Sequence, residues 1–227
     1  MSKAIMHRQE ELEYDLMKGR GLDGFLSLSM IQKWFDDRYS TSKHLFLLYS
    51  LVRGLNAKHI LEIGFGRSSF VLMKAVHETG GQFIVCDKKG LGKNEGFQYL
   101  LSKQERGVII YLHGKSPLAW EYLSESRGGL DFAFLDYFGD KNLNIEFCIK
   151  EIEYCLSFMK KNGIIAIHDT FVDEYGVKDI LGNLSDKDYK YITLPYCYGL
   201  TLIRKTESSL YGELKENFLK KEDPNVG

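Results

Sequence analysis

At 227 residues, 44% of them hydrophobic, the chain has enough apolar material for the core of one α/β domain. Its 30 lysines and arginines are matched by 31 aspartates and glutamates, so no summed positive field gathers nucleic acid or anionic lipid, and a small-molecule partner is expected. The longest apolar runs, Leu45 to Leu48 and Ile164 to Ile167, are far shorter than the roughly 18 residues of a membrane span, so no membrane partner is expected.

The chain starts without the basic and apolar stretches of a secretory signal, since Glu10, Glu11, Glu13 and Asp15 follow closely on Met1; a cytoplasmic location is the expectation. Residues 1–24 are charged and broken by Gly19, Gly21 and Gly24, and 1–40 read as a helical arm, a lid or a homodimer contact. A helix capped by Thr41 or Ser42 runs to about Arg53, with Leu45, Leu48, Tyr49 and Val52 on one face. From there, short β-branched runs alternate with longer amphipathic stretches, the signature of βα units and a mostly parallel sheet.

Strands are predicted over Lys58 to Ile63, Gln82 to Cys86, Val108 to Leu112, Asp131 to Leu135, Gly163 to His168, Lys190 to Leu194 and Leu200 to Arg204. Helices are predicted over Ser68 to Thr79, Glu95 to Ser102, Pro117 to Glu125, Leu143 to Lys160 and Asp173 to Leu184. Only Pro195 to Gly199 separates the last two strands, too little for a helix, so they should pair antiparallel. The fold class is therefore α/β, a doubly wound seven-stranded sheet. The whole chain, 1–227, is one domain with its core over 41–205 and a lysine- and glutamate-rich tail over 206–227. Cys86, Cys148, Cys155 and Cys197 form no C-x-x-C pair; they read as packing residues, with Cys148 and Cys155 on one helix face.

Chemistry concentrates where strands end. Glu62-Ile-Gly64-Phe65-Gly66-Arg-Ser68-Ser69 joins an apolar strand to a helix, so its glycines admit close backbone approach and its helix start offers free N–H groups to a polar ligand. A tight βα turn of any doubly wound fold would look similar. Asp87 ends the next strand, 21 residues beyond Gly66, where a carboxylate accepts both hydrogens of a ribose diol; taken alone it is also a turn cap. Asp136 ends the fourth strand, on the edge at which open α/β sheets bind ligands, and His168-Asp169-Thr170 ends the fifth.

Taken together these residues resemble the class I S-adenosylmethionine-dependent methyltransferases, whose glutamate-then-glycine loop and ribose-binding acid match Glu62, Gly64, Gly66 and Asp87. The resemblance runs from about Lys43 to Lys205 and includes the antiparallel final strand. Within the class the chain is most similar to small-molecule O-methyltransferases with a His-Asp pair after strand five, like methyltransferase family 24. The resemblance implies that S-adenosylmethionine lies against Glu62, Gly64, Phe65, Gly66, Ser68, Asp87 and Asp136. It also implies that Gly114 and Ser116 of His113-Gly-Lys-Ser116 contact the adenine, although Ser116 before Pro117 serves equally as an N-cap.

Further implications are a magnesium ion on Asp136 and Asp169 and a general base at His168 or Lys141. His168 is preferred because it ends a central strand. Lys141 follows Asp140, which stands at i+4 from Asp136 where the family has its second acid at i+2. His168 reads equally as a satisfied cleft histidine, and Asp169 alternatively as a helix cap. Tyr137 and Phe138, and less strongly Tyr175, Tyr196 and Tyr198, are candidates to line an acceptor pocket. Four other readings remain: a metal-free methyltransferase using His168 alone, an NAD-dependent oxidoreductase, a non-catalytic cofactor-binding protein, and a nucleic-acid-modifying enzyme, which the balanced charge disfavours. Ser69 at the third glycine position and the short final turn count against the dehydrogenase, and the charges of Asp136, His168 and Asp169 against the scaffold.

Overall fold

A computed structural model describes residues 41–88, 109–126, 128–136, 145–172, 176–183 and 189–206. A 3-10 turn, Thr41–His44, leads into α1, Leu45–Gly54; β1, His59–Ile63, is followed by α2, Arg67–Thr79, and β2, Gln82–Asp87. Next come β3, Ile109–His113; α3, Pro117–Ser126; β4, Leu130–Leu135; and α4, Ile145–Phe158. β5, Met159–His168; α5, Val177–Asn183; β6, Tyr189–Leu194; and β7, Leu200–Lys205, complete the order. The arm over 1–40, the helix expected over Glu95 to Ser102, and all but the first residue of the tail lie outside the described residues.

Seven strands form one sheet in the order β3-β2-β1-β4-β5-β7-β6. The pairs from β3 through β5 are parallel, and β7 enters between β5 and β6, antiparallel to both. The short turn expected before the last strand is what allows this insertion. No described helix is long and apolar enough to cross a membrane.

Alternation along the strands divides the core between two faces. Leu61, Ile63, Ile84, Cys86, Ala133, Leu135, Ile165 and Ile167 face α3, α4 and α5, where Trp120, Cys148, Ile152, Cys155 and Ile180 meet them. Ile60, Phe83, Val85, Phe132, Phe134 and Ala166 face α1 and α2, packing on Leu45, Leu48, Val52, Val71, Leu72 and Val76. Cys148 and Cys155 are buried free thiols, as their spacing suggested. Glu78 clamps α1 to α2, accepting a hydrogen bond from Tyr49 (2.5 Å) and pairing with Arg53 (3.1 Å) and Lys74 (2.7 Å).

Two of the boundaries that differ from the expected ones have a visible cause. The first α-helix begins at Leu45, because a 3-10 turn precedes it; His44 holds the cap position with helical backbone angles and no side-chain cap bond. Helix α4 stops at Phe158 and β5 starts at once, four residues before Gly163. The buried amine of Lys205 ends that helix by donating to the carbonyls of Leu156 (2.7 Å) and Met159 (2.8 Å), a cation placed on the negative end of the helix. The extra residues at the start of β5 are accommodated by a register shift opposite Leu130 and Phe132 and by Asn162 at φ 67°.

Phe132, fully buried at the centre of the sheet, is the natural probe of this core. Phe132→Ala is expected to cost about 3–5 kcal/mol in denaturant unfolding, the usual range for deleting a core ring.

Candidate active site

The turn after β1 is built by backbone. Gly64 has φ 95°, a conformation that side chains disfavour, and a Cβ there would lie 2.6 Å from the Asp136 carbonyl oxygen. Its N–H donates to the Cys86 carbonyl (2.9 Å), and the Asp136 N–H donates to that of Ile63 (3.0 Å), so the ends of β2, β1 and β4 are tied edge to edge. The Phe65 N–H donates to Asp87 Oδ2 (3.0 Å), which orients the carboxylate beside the turn. Gly66 is extended, and the space where its side chain would stand is open within 4 Å.

Beneath the turn, Glu62 is fully buried on the α2 side of the sheet and accepts hydrogen bonds from the hydroxyls of Ser68 and Ser69, each at 2.5 Å. Ser69 Oγ also accepts the Gly66 N–H (3.1 Å), while the Ser69 N–H donates to the Gly66 carbonyl (3.2 Å). Glu62 and Ser68 thus act as positioning residues that fasten the start of α2 to the end of β1. Burial pushes the Glu62 carboxyl up to about 8, against the two serine hydrogen bonds, which favour its charged form. Ser69, which the sequence marks only as a missing glycine, caps the loop in its own way, its hydroxyl accepting the N–H of the Gly66 that precedes the helix.

Further along the sheet edge, Gly114 follows β3 and donates its N–H to the Asp87 carbonyl (3.1 Å). Ser116 is buried, and its carbonyl accepts the Ala119 N–H (2.9 Å) as the chain enters α3.

Asp136, His168 and Asp169 converge after β4 and β5. His168 Nδ1 lies 3.1 Å from Asp136 Oδ1 and 3.0 Å from Asp169 Oδ1. Adjacent strand residues project to opposite faces, but Asp169 adopts φ 59°, and this left-handed turn brings its carboxylate back to the His168 ring. Burial alone would lower the His168 pKa; hydrogen bonds to and charges on Asp136 and Asp169 outweigh it and raise it to about 9. One ligand atom from each of the three residues falls within a span of 4.8 Å, a set that suits a divalent cation.

A second imidazole stands against this cluster. His44, just before α1, is buried, with its ring edge-on to that of His168 at 5.4 Å between centroids. Burial and the neighbouring His168 lower its pKa to about 4, and it hydrogen-bonds the backbone of Tyr196. The Nε2 atoms of both histidines are buried without a hydrogen-bond partner among the described residues. Sequence reading missed His44, because nothing in its spacing separates it from a helix-start residue.

The rim is aromatic. Phe171 donates its N–H to the Tyr198 carbonyl (2.7 Å), Lys43 lies over the Tyr196 ring (5.1 Å), and Lys178 lies over Phe171 (4.9 Å). This brings the turn before β7 to the cleft, with Tyr196 and Tyr198 exposed beside it. Lys141, Asp140, Tyr137, Phe138 and Tyr175 lie outside the described residues.

A seven-stranded sheet of this order, with a glycine turn after β1 and a carboxylate after β2, is an α/β arrangement that suits a nucleoside cofactor. Residues 61–170 match the family described as a methyltransferase domain. Similar solved structures include the S-adenosylhomocysteine-bound methyltransferase PaMTH1 of Podospora anserina (17% identity, 87% of this chain and 88% of that one, TM-score 0.59). The O-methyltransferase TomG of Streptomyces achromogenes, involved in tomaymycin synthesis and bound to S-adenosylmethionine, is another (19%, 78% and 86%, 0.55). A third is an O-methyltransferase of Bacillus cereus in complex with S-adenosylhomocysteine (14%, 86% and 97%, 0.56). No curated protein matches the sequence. Over residues 61–170 the chain matches a methyltransferase domain, and its fold is that of these S-adenosylmethionine-dependent enzymes.

Two variants test this construction. Gly64→Ala puts a side chain against the Asp136 carbonyl and forces an unfavourable φ; a loss of roughly 2–4 kcal/mol in denaturant unfolding is expected. Glu62 has a folded pKa of about 8 against an ordinary 4.5, so the folded state holds its proton more tightly. Its contribution is therefore complete below the ordinary value and is lost as pH rises through about 8. Glu62→Gln should flatten the fall in melting temperature across that window, and an unchanged slope would show the carboxyl to be charged throughout.

Proposed function

We propose that this methyltransferase moves the methyl group of S-adenosylmethionine onto a hydroxyl of a small molecule, with a divalent cation held by Asp136 and Asp169. The observation that carries the reading is the carboxylate pair on either side of His168, one strand over from the glycine turn. O-methyltransferases among the similar folds and the balanced charge of the chain support it.

The residues present fit the cofactor. Gly64, Phe65 and Gly66 offer backbone and open space for its amino-acid portion, Asp87 is oriented to take ribose hydroxyls, and the turn at Gly114 and Ser116 receives the adenine. When bound, the cofactor supplies an electrophilic methyl on a sulfonium, and a divalent cation lowers the pKa of an acceptor hydroxyl. The protein's own work is placement, since in-line transfer requires the acceptor oxygen about 3 Å from the methyl carbon. Asp136 reaches both halves of the site: its carbonyl packs on the cofactor turn and its carboxylate faces His168. His168 and Lys141 are the candidates to receive the acceptor's proton. Phe171, Tyr196 and Tyr198 border the entry and suit an acceptor with a flat apolar body.

Melting curves of the full chain with S-adenosylhomocysteine, S-adenosylmethionine and NAD provide the test. Ligand at 100-fold excess over its dissociation constant should stabilise by about 2.7 kcal/mol, and NAD should do nothing. Asp87→Ala should abolish the shift while leaving the ligand-free melting temperature nearly unchanged. Stabilisation by NAD alone would overturn the cofactor assignment; turnover of hydroxylated acceptors that survives chelator would overturn only the cation.

A further inference from the structure

Two roles compete for His168, proton acceptor or ligand, and the positions of three atoms separate them. Its Nδ1 is 3.1 Å from one carboxylate oxygen and 3.0 Å from another, and each oxygen comes from a different strand end. An imidazole nitrogen carries at most one hydrogen, directed in the ring plane, so Nδ1–H can align well with one of these oxygens and not both. Ligand atoms at right angles around an ion with bonds of about 2.1 Å are separated by about 3.0 Å, the length multiplied by the square root of two. Nδ1 stands at that separation from both oxygens, and all three atoms lie within 4.8 Å of one another.

The backbone holds this arrangement at a cost. Asp169 is one of the few non-glycine residues with positive φ, at 59°, and without that turn its carboxylate would leave the face on which His168 lies. The His168 ring is fixed from the other side by the edge of His44 and by Phe134, whose centroid is 6.5 Å away.

We propose that His168 Nδ1 joins Asp136 Oδ1 and Asp169 Oδ1 as a direct ligand of the divalent cation, and that the centre selects a first-row transition ion over magnesium. This inference rests on the reading that Asp136 and Asp169 hold a cation, and it removes His168 from the candidates for proton acceptor. Magnesium favours oxygen ligands and retains its waters, whereas imidazole nitrogen suits manganese less than cobalt, nickel or zinc, and all of these better than magnesium. Affinity should therefore rise from Mg2+ to Mn2+ to Co2+, with at least tenfold between the first two.

Mn2+ titration of the full chain, followed by electron paramagnetic resonance with spin-echo detection of nitrogen coupling, decides the matter. Bound Mn2+ in the wild type should show coupling to a directly ligated imidazole nitrogen. His168→Ala should remove that coupling and weaken Mn2+ at least tenfold while retaining the melting shift given by S-adenosylhomocysteine. His44→Phe should keep the coupling, which assigns it to His168. Should the alanine variant fail to fold, the wild-type and His44→Phe spectra still settle the ligand. Mn2+ bound without nitrogen coupling, and displaced equally well by Mg2+, would overturn the proposal and leave the two carboxylates as the cation site. No bound Mn2+ at all would overturn the cation reading along with it.

Discussion

The approach of the Asp136 backbone to Gly64 is the constraint on which both halves of the site depend. A Cβ at position 64 would meet the Asp136 carbonyl oxygen at 2.6 Å, so the residue there must be glycine for β1 and β4 to end side by side. That one contact joins the cofactor turn to the strand end bearing the carboxylate. Methyl transfer needs donor and acceptor within about a bond-forming distance, and this pairing sets their spacing before any ligand arrives.

Strand alternation determines which side each polar group serves. Glu62 and His168 both point to the face covered by α1 and α2, because each is an even number of residues from a core side chain on that face, Ile60 and Ala166. Glu62 therefore lies under the start of α2, where two serines meet it, and His168 lies under the start of α1, where His44 meets it. Buried polar groups of this kind are tolerated only when partnered. Glu62 satisfies that rule through its hydroxyl pair; His168 satisfies it at Nδ1, which has a carboxylate oxygen on either side, while its Nε2 has no hydrogen-bond partner among the described residues.

Legibility in the sequence followed what each part is made of. The fold and the cofactor half were readable, because glycines, a strand-end acid and hydrophobic alternation report backbone requirements that recur at fixed spacing; Gly64, Gly66 and Asp87 stand together as that spacing implies. Helix ends were less readable, since Lys205 stops α4 from 49 residues away and no local signal at Phe158 foretells it. The half around His168 was partly legible: Asp136, His168 and Asp169 were marked by their strand ends, but their convergence on one nitrogen depends on the φ of Asp169, and aspartate is only mildly biased toward that conformation. His44 was invisible for a deeper reason, as its place beside His168 is a contact across 124 residues created by packing alone (168 − 44).

The division of labour also explains why the fold specifies the cofactor more tightly than the acceptor. On the proposed function, contacts to the cofactor come from the sheet edge itself, with N–H groups, glycines and strand-end acids locked by the register of β1, β2 and β4. The acceptor side is bounded by short connections: the 3-10 turn at His44, the segment after β5 at Phe171, and the turn before β7 at Tyr196 and Tyr198. These connections are held to one another by a backbone hydrogen bond between Phe171 and Tyr198 and by a lysine over an aromatic ring, interactions that can be re-formed with other side chains without disturbing the sheet. On the proposed function, a scaffold so arranged keeps the methyl donor fixed while its rim changes, and the choice of acceptor falls to the connections that carry Phe171, Tyr196 and Tyr198 rather than to the strands.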